Sequence, residues 1–237
     1  MKKLAVVGMI IAVATFMAVA MASANDHHWG GIRGDYAMTG VGTCINSPGG
    51  FTANFAPQGL AVLSGVSNNF SGSNLFTGTW SFERNGYGQV QGHLFGTATY
   101  PYPFPNASSI YFSFSFTYSV THDGTITAVM DEDSYLATFK TGPSTGMSFK
   151  LKGFSPPVTP PTPLADLTQE DTATPDPLSF GGRVSTDHKT ITLDSANQIQ
   201  RVRVYASPDG TGTPINRNYQ ICNVGRVLIR VSDQDDD

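Results

Sequence analysis

From Ile110 to Val120 every second residue is large and apolar. Ile110, Phe112, Phe114, Phe116, Tyr118 and Val120 fall on one face, and Tyr111, Ser113, Ser115, Thr117 and Ser119 fall on the other. A period of two is that of a β-strand with one buried and one wet face. Weaker forms of this pattern predict strands over 35–45, 75–83, 87–99, 135–140, 146–153, 178–186, 190–194, 199–206 and 226–232, with a fainter one near 59–65.

Pairing across the turns fixes the register. Around Arg84-Asn85-Gly86, a two-residue loop would set Phe82 opposite Gln89 and mix polar with apolar on both faces. A three-residue loop sets Trp80 opposite Val90, Phe76 opposite Leu94, Thr79 opposite Gln91 and Ser81 opposite Gln89. Gly86 then takes the left-handed position of a type I turn with a bulge. The same test at His122-Asp123-Gly124 pairs Val120 with Ile126, Tyr118 with Ala128 and Phe116 with Met130. At Asp187-His188 a two-residue loop already pairs Val184 with Ile191 and Gly182 with Leu193.

The composition agrees. Only Glu83, Glu132 and Glu170 are Glu, while Ser, Thr and Gly abound, a mixture that disfavours helix interiors. The expected fold is all-β, an antiparallel meander of roughly ten to twelve strands closing into a β-barrel, with a β-sandwich as the alternative, since both bury one face of each strand. The run from Ser155 to Pro177 breaks the pattern with prolines at 156, 157, 160, 161, 163, 175 and 177 and acidic residues between them. A stiff exposed loop at 155–177 is expected, within a single β domain over 25–232.

Met1-Lys2-Lys3, the apolar stretch from Leu4 to Met21 and the small-x-small site Ala22-Ser23-Ala24 together read as a secretory signal over 1–24, cleaved after Ala24. The mature protein is expected to be secreted or periplasmic. The leader carries the cations Lys2 and Lys3 and no carboxylate, so its loss takes the formal net charge from −4 to −6. An acidic chain is a poor nucleic-acid partner, because phosphate neutralisation needs a basic surface. After cleavage no further apolar run is long enough to span a membrane. Residues 233–237 form an acidic tail.

Export makes pairing of Cys44 with Cys222 the expectation. That bridge would close a loop of roughly 180 residues, contribute about 4–5 kcal/mol in the chain-entropy treatment, and set the first and last strands side by side.

Gly78-Thr79-Trp80 is a Gly-x-Trp, which resembles the short signature near the first barrel strand of lipocalins. The resemblance spans three residues and covers architecture. It implies an exported, disulfide-tied β-barrel with a small apolar ligand in its mouth.

Candidate chemistry is sparse. Trp80, Phe112, Phe114 and Phe116 are expected to face inward as ligand contacts, and Tyr100, Tyr102 and Phe104, alternating with prolines, to form a rim stiffened against entropy loss. Cleavage after Ala24 would leave Asn25-Asp26-His27, an amine with imidazole at the third position that can wrap Cu(II) or Ni(II) in a square plane. His93, His122 and His188 lack zinc-site spacing, no nucleophile elbow is present, and no cofactor is expected. The leading expectation is a non-enzymatic exported β-barrel that binds a small apolar ligand or a partner such as another envelope protein. An adhesin or cell-envelope structural module is the alternative, and an enzyme comes third.

Overall fold

The computed structural model describes residues 32–58, 70–99, 106–158, 173–195 and 198–231. The leader, the terminus at 25–27, the weak strand at 59–65, the rim at 100–105, most of the proline segment and the tail at 233–237 lie outside the described residues.

Eleven strands form one antiparallel sheet: β1 Gly34–Ser47, β2 Phe70–Phe82, β3 Tyr87–Thr99, β4 Asn106–Val120, β5 Thr125–Met130, β6 Leu136–Phe139, β7 Ser148–Phe154, β8 Ser179–Val184, β9 Thr190–Ser195, β10 Ile199–Tyr205 and β11 Asn216–Arg230. The expected all-β meander is present. Its hydrogen bonds ring through eight strands, β1-β2-β3-β4-β5-β8-β9-β11 and back to β1.

The ring is forked. β4 pairs with β3 along one edge, but its other edge meets β6 at Ile110–Ser113 and then β5 at Phe116–Val120. β11 pairs with β1 along one edge and meets β10 at 216–221 and β9 at 225–229 along the other. Two three-strand branches, β5-β8-β9 and β6-β7-β10, therefore connect β4 to β11.

At a fork the ladder lacks a partner for some backbone groups, which must be satisfied elsewhere. Two serine hydroxyls, each donor and acceptor, fill both gaps. Ser134 Oγ accepts the Ser115 N–H and lies 3.2 Å from the Ser115 carbonyl. Ser195 Oγ accepts the Val224 N–H at 3.1 Å and donates to the Cys222 carbonyl at 3.2 Å.

The hairpin registers match the expected ones: Trp80 with Val90, Phe76 with Leu94, Val120 with Ile126 and Val184 with Ile191. Gly86 and Gly124 both sit at φ +81°. The Asp187-His188 loop differs in width. Ser185 Oγ takes the Thr190 N–H, His188 N–H bonds the Ser185 carbonyl and His188 adopts φ +56°, so a four-residue loop holds the expected register.

β11 is the larger correction, since it starts at Asn216 and not near 226. Its first half hides from a single-face reading because two cores use it. Cys222, Val224 and Leu228 face the main core inside the ring, whereas Tyr219 joins Phe51, Phe154, Val158 and Ile199 in a small core on the other face.

Candidate functional site

Apolar stripes from all eleven strands converge inside the ring, where inward glycines leave room for rings. A Cβ on Gly88 would stand 2.2 Å from Phe116 Cζ, and one on Gly92 would stand 2.3 Å from the Thr77 carbonyl oxygen and 3.1 Å from Phe112 Cζ. Around Trp80 the rings pack closely. Trp80 lies 4.8 Å from Phe116, 5.7 Å from Phe114 and 5.6 Å from Phe180 between ring centres, and its indole N–H reaches Met38 Sδ at 3.0 Å.

Burial varies little along the interior. Tyr36, Trp80, Phe116 and Ile191 are sealed at 0% exposure, while Phe76, Leu94, Ile110, Phe149 and Leu151 retain 7–8%. Of the residues expected to contact ligand, Trp80, Phe112, Phe114 and Phe116 all face inward and are buried in the main core. Tyr100, Tyr102 and Phe104 connect β3 to β4 and lie outside the described residues, as do Asn25, Asp26 and His27. Cys44 and Cys222 are bonded to each other.

Two arginines, Arg226 and Arg230, share the inward phase of β11 with Val224 and Leu228. Arg226 of β11 stands opposite Gly40 of β1, and its Cγ passes 2.9 Å from where a Gly40 Cβ would be. Its guanidinium carbon lies 4.9 Å from the Phe180 ring centre and 5.2 Å from that of Phe76, a cation–π arrangement. Nη1 is enclosed and has no hydrogen-bond partner, and no ion pair to Arg226 occurs among the described residues. Burial lowers its pKa to about 10 against the opposing pull of Tyr135 and Asp194. Burial likewise holds the Tyr135 hydroxyl in its neutral form, well above the usual phenol range. Sequence reading missed Arg226 because the expected strand began there. The available signal was its place in the apolar phase between Val224 and Leu228.

A concavity of about 590 Å³ lies on the outer face. Val41, Leu75 and Phe95 are paired in a row across β1, β2 and β3 and are 45–66% exposed. The adjacent row, Asn223, Thr43, Ser73 and Thr97, supplies hydroxyl and amide groups. Most of the remaining outer face of β2, β3 and β4 is Ser, Thr and Gln, the reverse of a lipid-facing strand.

No protein-family profile matches the chain, and no curated protein sequence matches it.

Proposed function

We propose that this is an exported, non-catalytic binding protein that holds a small apolar ligand inside its ring. The observation that carries this reading is the continuous apolar lining, from Trp80 and Phe116 to Leu94, Ile110 and Leu151, of a sheet whose hydrogen bonds close on themselves. Hydrocarbon surface left accessible inside a closed sheet is surface a ligand can cover, at roughly 25 cal/mol per Å². The disulfide suits an oxidising, extracytoplasmic compartment, and the leader at 1–24 supplies the route there.

Native mass spectrometry of the exported protein tests the reading. The wild type should carry a non-covalent adduct, or take up an added long-chain alcohol, and Leu94→Trp should lose it by filling the space. Failure of the wild type to bind any apolar probe would contradict the reading.

The outer trough favours a second reading, a surface that docks a partner such as another envelope protein. Val41, Leu75 and Phe95 form an exposed apolar row on adjacent strands, the kind of patch that marks interaction sites.

A further inference from the structure

The outer face of β11, β1, β2 and β3 differs from the rest of the ring. Its outward residues are every second position over 221–229, 37–45, 71–79 and 91–97, and none of them is Asp, Glu, Lys or Arg. Val41, Ile45, Leu75, Phe95, Val227 and Ile229 lie on this face and are 39–66% exposed. Water favours none of them there, and Ser or Thr would suit an exposed strand as well, as Ser113, Ser115 and Thr117 do on the neighbouring β4. Charge begins at the borders, with Asp194 of β9 beside Gly225, Asp35 beyond Ala37 and Arg183 farther round on β8.

The relief of the face matches itself. Val41 is the most exposed of these side chains, and its β11 neighbour Gly225 has none, so the concavity opens beside it between Leu75, Phe95 and Asn223. A two-fold axis lying between two such faces would seat Val41 of each copy in the hollow of the other, the reciprocal contact of an isologous interface.

Charge and size favour a second copy as the occupant. The chain is acidic, at −4 formally, so two copies repel unless they meet where neither is charged. A partner chosen by opposite charge would need charged residues on the face, and it has none. Four strands about 4.8 Å apart and nine residues at about 3.3 Å each cover roughly 550 Å² on one copy. Two such faces just clear the total of about 1,000 Å² that a specific interface needs.

We propose that the chain forms a two-fold dimer by stacking this uncharged sheet face on that of a second copy, with Val41, Leu75 and Phe95 at the centre. The inference rests on the docking reading of the outer trough and names its partner. It is independent of any ligand inside the ring.

Sedimentation equilibrium of the full mature protein tests it from about 1 to about 300 µM, the range suited to so small an interface. Folding of each variant is checked by the near-ultraviolet signal of Trp80. Wild type should pass from monomer to dimer. Val41→Lys should weaken association at least about tenfold by setting like charges across the two-fold. Thr127→Lys, exposed on β5 at the far side of the ring, should leave it unchanged. An equimolar mixture of Val41→Lys and Val41→Asp should recover the dimer that neither forms alone. Wild type that stays monomeric throughout would overturn the second copy as partner and leave the docking reading to a different protein. A dimer that Val41→Lys leaves intact would overturn both.

Discussion

Cys44 of β1 stands directly opposite Cys222 of β11, with their Cα atoms 4.1 Å apart and their sulfurs joined. The bond therefore crosses the seam where the first and last strands complete the ring. It ties residues 178 apart in sequence, so most of its effect falls on the unfolded chain, about 5 kcal/mol in the entropic treatment. Cys44→Ser with Cys222→Ser should lower the free energy of unfolding by that order, and reductant should do the same to wild type. Denaturant titration with and without reductant checks it.

The fork serines give a second expectation. Ser195→Ala would leave the Val224 N–H and the Cys222 carbonyl without their hydroxyl partner, and Ser134→Ala would do the same to the Ser115 N–H. Each should cost about 1–3 kcal/mol. Because the forks lie on different strands, the two costs should add in the double variant. Faster hydrogen exchange at the Val224 and Ser115 amides would show that the loss is local.

Glycine positions inside the ring should tolerate no added carbon. In Gly88→Ala the methyl would meet Phe116 Cζ and the Ser81 carbonyl oxygen, at 2.2 and 2.5 Å. Phe116 is sealed and has no free volume to move into. A loss of about 1–3 kcal/mol is expected from overpacking, whereas Gly181→Ala on β8, which meets nothing within 4 Å, should be mild by comparison. Thermal unfolding of the two variants separates them.

Acid should act at the turns. The Asp123 carboxylate accepts from the Thr121 hydroxyl and from the Thr125 hydroxyl and N–H, with Arg183 nearby, and its pKa falls from 3.8 to about 2. A depressed folded pKa contributes stability that is present above the unfolded value and is lost as pH falls through the folded one. Stability should therefore decline between about pH 4 and pH 2. Thr121→Val should raise the Asp123 midpoint in an NMR titration. At the alkaline side, burial raises Tyr118 from 10.0 to about 12, so its contribution is present below pH 10 and is lost as pH rises through 12.

Much of the ring was legible in the chain. Trp80 opposite Val90 and Phe116 opposite Met130 followed from alternation alone, because a one-residue slip would turn a whole apolar stripe to solvent. β11 was not legible over its first half, because Tyr219 and Cys222 serve cores on opposite faces and break the period. The forks were hidden as well, since a strand's own pattern says which face is buried and nothing about how many neighbours share an edge. The inward direction of Trp80, Phe112, Phe114 and Phe116 could be read. How tightly the rings and glycines of many strands fill the interior depends on their summed volume, which no single strand's pattern carries. Arg226 became visible as a candidate only once β11 was placed opposite Gly40.

The most direct measurement is methyl NMR of the mature protein titrated with dodecanol. The account predicts shifts at Leu94, Ile110 and Leu151 inside the ring, with Val41, Leu75 and Val227 on the outer face unmoved. Shifts confined to Val41, Leu75 and Val227 would contradict it and place binding on the outside of the ring.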